Sequence, residues 1–478
     1  MMQTSVAFPF FFLPCFSQFT APGISQSSHR NKPSLVTFSF FFISFQRKDR
    51  AMSQEYRTMW AELGLNLDNH DKLMEVLGKV YADIFVAQKN RPQKTAYLDF
   101  VMQEVHGLRI KELVDGKKQG RKVIGTYCTF VPEEIVIAAN AVMVGLCAGA
   151  DFATQEVEKY LPRNLCALIK STFGFKLGGV CPYLEASDLV VGENTCDGKK
   201  KAWEVFGKLV RDLYVMDLPQ TKGDTARVLL RSEYVKFVKR IEKLTGIAIT
   251  AARLKNAISI VNAKRKAVYR LSALRAHDPS PISGLDSLLI NQIFFYEDPV
   301  RFTQNINALC DELEQRIAQN TGAMAKKTPR ILMSGCPMAV PNWKVPSIVE
   351  TSGAIIVGEE SCIGERGTRN PVDDSAASLD GLIDALVDRY LKIDCAIFTP
   401  NTERLDHIVD MAQTYQADGV LLYAIQFCAP YTVEALGIEK ELEKRKIPAI
   451  RIETDYSQED MGQLKTRIQA FIERINAQ

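Results

Sequence analysis

Eleven cysteines are the residues in this chain whose placement speaks most directly of chemistry. Six of them close short aliphatic runs. Cys128 follows 123–127, Cys147 follows 141–146, and Cys196 follows 189–195. Cys336 follows 331–335, Cys362 follows 355–361, and Cys428 follows 421–427. Runs of this kind read as strands, and the C-terminal edge of a parallel sheet is where α/β proteins bind ligands. Cysteines that merely pack would scatter into helices and mid-strand positions. Thiolates gathered at a sheet edge suit iron–sulfur chemistry, which takes soft sulfur ligands, usually about four per cubane. Loops on a rigid edge bring distant thiols together, so close spacing along the chain is not required. No CxxC occurs, which argues against a ferredoxin-type run and against a zinc ribbon. Cys310, in a helical stretch, reads as core, and Cys147 and Cys181 lean toward structural roles.

The elements that must hold these thiols follow from periodicity. Residues 53–120 read as helical, with Trp60, Leu63, Leu65, Leu73, Val76, Leu77 and Val80 on apolar spacings. From Lys122 onward, β-branched or aliphatic runs alternate with amphipathic stretches, the signature of βαβ units. Strands are predicted at 123–125, 141–144 and 188–191. Residues 203–275 read as mostly helical and end at Pro279-Ser280-Pro281. A helix is predicted over 298–318, opened by Asp298-Pro299. Strands resume at 330–333, 354–357, 396–398, 419–425 and 449–452. The last helix is expected to start near Ser457, its hydroxyl capping the amide of Asp460. The expected fold is therefore α/β: two Rossmann-like lobes with parallel sheets, 122–325 with a helical insertion and 329–478. A helical N-terminal arm, 52–121, precedes them, and 320–330 is the linker.

Composition narrows the class. With 46% hydrophobic and 24% charged residues the chain is an ordinary globular protein. Its formal net charge of +3, without a basic tract interleaved with aromatics, gives no footing for nucleic acid. Residues 1–45 contain no Asp or Glu but two phenylalanine clusters, and Arg30, Lys32 and Arg47 come after the first. That order is wrong for a signal peptide, and no apolar stretch reaches the roughly 20 residues a membrane helix needs. Residues 1–51 are therefore read as a disordered leader or a mis-assigned start, with Met52 as the working start of a soluble, cytoplasmic protein.

The motifs around the cysteines carry a resemblance. GTYCTFVPEE (125–134), PRNLCALIKS (162–171) and VGENTCDGKKK (191–201) lie in the first half. SGCPMA (334–339), GEESCIG (358–364), DRYLKIDC (388–395) and QFCAPY (426–431) lie in the second. In this order they resemble the 2-hydroxyacyl-CoA dehydratase / benzoyl-CoA reductase superfamily, and most closely its double-cubane cluster protein branch. The resemblance runs from about Met52 to the C-terminus. It implies an oxygen-sensitive homodimer whose subunits each hold an 8Fe–9S double-cubane cluster on six cysteines. Its motifs nominate Cys128, Cys166, Cys196, Cys336, Cys362, Cys395 and Cys428, seven thiols for six places. Asp394 and Ile397 stand where the family pattern has Pro and Cys.

The implied activity is ATP-dependent reduction of a small-molecule substrate, with a separate activator ATPase supplying low-potential electrons. The chain has no GxxxxGK[ST] phosphate loop of its own, which agrees with that division of labour. Glu133 and Glu134, just past Cys128, are candidate catalytic proton donors, or equally charges meeting a helix N-terminus. Lys199, Lys200 and Lys201 could offset cluster charge or form a solvated helix start. Two alternatives stay open: a 2-hydroxyacyl-CoA dehydratase or acyl-CoA reductase subunit with one 4Fe–4S cluster, and a non-catalytic iron–sulfur carrier.

Overall fold

Eight short strands, each predominantly aliphatic, pair into two four-stranded parallel sheets in a computed structural model that describes residues 54–477. In the first sheet the strands are β1 (Val123–Thr126), β2 (Val142–Gly145), β3 (Leu189–Glu193) and β4 (Leu213–Met216), in the order β2-β1-β3-β4. In the second they are β5 (Arg330–Gly335), β6 (Ile355–Glu360), β7 (Gly419–Ile425) and β8 (Ala449–Thr454), in the order β6-β5-β7-β8. The two orders are the same. Each sheet reverses its direction of growth beside its first strand, between β1 and β3 and between β5 and β7. Chain leaving those neighbours diverges to opposite sides, which opens a crevice at the C-terminal edge. The α/β expectation with two Rossmann-like lobes is met.

Both sheets belong to one compact unit, Glu55–Gln478. The helix Ala251–Leu274 ties them together. Its Lys264 and Arg265 reach Glu133 and Glu134 behind β1, and Arg275, just past its end, grips Glu359 of β6 at 2.6 Å through two nitrogens. The arm is helical as expected and packs on the core through Phe85, edge-on to Trp343 at 4.9 Å between ring centres. Val76 departs from the expected apolar face and is exposed.

Three local expectations are corrected. β4 lies inside a stretch read as helical; four residues long, half exposed and paired only to β3, it is too short to print a periodicity. Residues 396–398 form a turn rather than a strand. Their apolar character comes from packing across to the first lobe, Phe398 lying edge-on to Phe130. The last helix begins at Met461, not near Ser457. Lys344 takes the Ser457 carbonyl and the Asp460 carboxylate, and the Ser457 amide donates to Asp455. The reading of residues 1–51 lies outside the described residues. Among the described residues no helix is long and apolar enough to cross a membrane.

Candidate functional site

The six strand-edge cysteines fall where the runs placed them, and the two lobes place them alike. Cys128 and Cys336 follow β1 and β5 by two residues and one. Cys147 and Cys362 each follow β2 and β6 by two, and Cys196 and Cys428 each follow β3 and β7 by three. Gly335 makes the approach of Cys336 possible. It sits at φ +144°, and a Cβ there would lie 1.8 Å from the Tyr423 carbonyl oxygen.

One cavity of about 150 Å³ gathers all seven nominated thiols, Cys128, Cys166, Cys196, Cys336, Cys362, Cys395 and Cys428. Cys147 joins them, so its reading as structural missed its exposure to this cavity. Cys181 does not line it, and neither does Cys310, which is fully buried on the helix Pro299–Ala318. Cys166, Cys196 and Cys428 are the N-cap residues of the helices Ala167–Leu177, Asp197–Phe206 and Ala429–Lys444. There the macrodipole and free amides favour sulfur anions. Amides already donate to several sulfurs: Leu168 and Ile169 to Cys166, Tyr431 to Cys428, Phe130 to Cys128, and Ile425 to Cys336 at 3.4 Å.

The thiols also meet one another. Cys428 hydrogen-bonds with both Cys166 and Cys336, and Cys362 with Cys395. The Cys395 thiol donating to it holds Cys362 well below the ordinary thiol range, with Arg366 adding to the effect against burial. Burial pushes Cys128 up and Cys147 up to about 12.

Each lobe places one cation against the sulfurs and anchors it on the last residue of a strand. Lys199 lies 3.3 Å from Glu193 at the end of β3. Burial opposes its charge, but Glu193 and the thiols of Cys128, Cys147 and Cys196 outweigh burial and raise it. Lys200 and Lys201 are exposed, so only one lysine of the three turns inward. In the second lobe Arg366 is fully buried, forks onto Glu360 at the end of β6 at 2.7 and 2.8 Å, and reaches Cys362 Sγ at 3.6 Å. Arg404 takes the other side of the same carboxylate at 3.1 Å.

Glu133 and Glu134 are not brought to the cavity. Both are buried on the far side of their helix, Glu133 on Lys264 at 2.9 Å and Glu134 on Arg265 at 2.7 Å and Tyr390 at 2.9 Å. Sequence reasoning missed Arg366 and Tyr431. They stand four residues after Cys362 and three after Cys428, yet nothing in their spacing separates them from other buried side chains.

This donor set fits an iron–sulfur cluster. No carboxylate or imidazole lines the cavity, so it lacks the oxygen ligands of hard cations. Its volume is about ten times the roughly 15 Å³ that admits one water, room for more than a single ion. Among the described residues no three His, Cys, Asp or Glu side chains close around one ion. Ligands at the corners of a multi-iron cluster need not converge on a point. Thiols protonate when metal-free and yield those protons to a soft metal.

Fold and site together define a two-lobed α/β protein whose like strand edges present sulfur to a shared cavity. Residues 128–475 match the family model of the 2-hydroxyglutaryl-CoA dehydratase D-component. A protein of Escherichia coli (strain K12) provisionally named a dehydratase subunit, YjiM, is 41% identical over 369 residues, 76% of this chain and 94% of its own length. The (R)-phenyllactyl-CoA dehydratase beta subunit of Clostridium sporogenes is 26% identical, covering 75% of this chain and 93% of its own. A benzoyl-CoA reductase subunit of Thauera aromatica is 22% identical, covering 74% and 92% less one, that is 91%, of the two lengths. The chain belongs to the 2-hydroxyacyl-CoA dehydratase superfamily, whose members carry the names of dehydratase and reductase subunits.

Proposed function

We propose that this chain is the low-potential reductase component of an ATP-driven system. Its cavity holds an 8Fe–9S double cubane on six of Cys128, Cys166, Cys196, Cys336, Cys362, Cys395 and Cys428. The observation that carries this reading is the convergence of seven thiols, and no oxygen anion, on the switch-point edges of both sheets. When bound, such a cluster stores and passes electrons at low potential. The chain's own part is to hold the sulfurs, exclude water with Ile, Val, Pro and Tyr side chains, and balance negative charge with Lys199 and Arg366.

ATP hydrolysis belongs to a separate activator ATPase, because the chain lacks a phosphate loop of the GxxxxGK[ST] form. The working unit is a homodimer in the cytoplasm acting on a small molecule. The test is anaerobic turnover of the iron-loaded chain with and without the activator. The chain alone should hydrolyse no ATP and reduce no substrate, and should do so only with its partner. ATP hydrolysis by the chain itself overturns the division of labour.

The names of the relatives favour a second reading, a dehydratase or acyl-CoA reductase subunit with one 4Fe–4S cluster. It predicts turnover of an acyl-CoA thioester and about four iron atoms per chain instead of about eight.

A further inference from the structure

Tyr431 stands in the first turn of the helix Ala429–Lys444, just past Cys428, and its side chain lines the thiol cavity. Its ring is clamped between two cations, Arg366 and Arg404, 5.3 and 4.9 Å from the ring centre. Arg366 Nη1 donates to the phenol oxygen. A guanidinium has no lone pair to offer in return, and a phenol carries one proton. The Tyr431 proton therefore cannot point back at Arg366. Among the described residues the other polar neighbour of the oxygen is Cys395 Sγ at 3.9 Å, on the cavity side. Arg366 cannot swing away to release it, since Glu360, the Glu360 carbonyl and Cys362 hold its other nitrogens.

We propose that Tyr431, oriented by Arg366, is a fixed hydrogen-bond donor aimed at the sulfur held by Cys395 and Cys362, and so tunes the potential of whatever cluster that end of the cavity carries. The proposal rests on the iron–sulfur reading. Hydrogen bonds to cluster sulfurs favour the more negative, reduced state and move the potential upward. Lys199 serves the first lobe by charge alone; Tyr431 serves the second by a directed proton. Tyr431 acts as a positioning residue, with no bond made or broken.

The test is a redox titration of anaerobically purified, iron-loaded protein followed by electron paramagnetic resonance. Tyr431→Phe removes the donor and keeps the ring between its two arginines. The iron content should stay at the unsubstituted value while the midpoint potential becomes more negative. Substituting 2,3-difluorotyrosine at the same position keeps the shape and strengthens the donor, and should move the potential the other way. That second protein decides the matter if Tyr431→Phe fails to fold or loads less iron. Unchanged potential in the fluorinated protein overturns the proposal. Failure of the parent reading looks different, because the unsubstituted protein would then show no cluster signal to titrate.

Discussion

Replacing Arg366 by Met tests whether the charge buried beneath Cys362 is a true structural bond. The Arg366 and Glu360 side chains are both 0% exposed, and three hydrogen bonds of 2.7 to 3.0 Å join the guanidinium to the acid and its own carbonyl. Removing one partner of such a pair costs about 3–5 kcal/mol, because the other charge is left in a medium that solvates it poorly. Glu360 keeps Arg404 at 3.1 Å and Ser334 at 2.7 Å, so the loss should sit near the lower end, about 3 kcal/mol. Removing both charges together, Glu360→Gln with Arg366→Met, leaves no orphan on either side. The double substitution should therefore cost less than the two singles added, with a coupling of about 2 kcal/mol. Urea unfolding of the iron-free chains, followed by circular dichroism and tryptophan fluorescence, measures all four corners of the cycle. A loss under about 1 kcal/mol for Arg366→Met, or strict additivity, would refute the reasoning.

Two further predictions concern pH, with opposite signs. Glu350 is buried and its carboxyl is pushed up to about 7, although the amides of Gly284 and Ile356 donate to one oxygen at 2.7 and 3.2 Å. A raised carboxyl stabilises the fold below its ordinary pKa near 4.5 and loses that contribution as pH rises through 7. Glu350→Gln keeps the accepting oxygen and should add up to about 3 kcal/mol of stability at about pH 8.5 relative to its effect at about pH 4, read by urea unfolding at each pH; an equal effect at both contradicts the assignment. In the arm, His70 Nε2 lies 3.0 Å from His106 Nδ1, and burial pushes the two rings down to about 4 and about 3. Depressed histidines give stability that is whole above about pH 6.5 and is lost as pH falls toward about 4, so hydrogen exchange in the helix Leu67–Tyr81, corrected for its intrinsic rate, should quicken over that range, and unchanged protection would contradict it.

How much was legible in the chain varies with the range of the interactions. Cys128, Cys196, Cys336, Cys362 and Cys428 could be placed because an aliphatic run and its closing residue are local facts, and parallel pairing then sends every such residue to one edge. The same rule pointed to Cys147, and the structure sides with the rule over the structural role assigned to it. Cys166 and Cys395 follow no strand, and only the family motifs nominated them. Which of Lys199, Lys200 and Lys201 turns inward depends on the phase of the helix Asp197–Phe206, which its first turn does not reveal. Glu133 and Glu134 were drawn to the site by their nearness to Cys128 in sequence. Their actual partners, Lys264 and Arg265, come from about 130 residues away, and no local pattern announces them.

The most direct measurement is iron and acid-labile sulfide per chain in anaerobically purified protein, for the unsubstituted chain beside Cys428→Ser and Cys310→Ser. Thiols of the shared cavity as cluster ligands predict about eight iron atoms per chain. They also predict a sharp loss in Cys428→Ser, since an alcohol is a poor ligand for iron beside thiolate. Cys310→Ser should retain full iron, its thiol being buried on the helix Pro299–Ala318 and absent from the cavity wall. An unsubstituted chain that takes up no iron after anaerobic reconstitution, or a Cys310→Ser chain that loses iron while Cys428→Ser keeps it, would contradict the assignment.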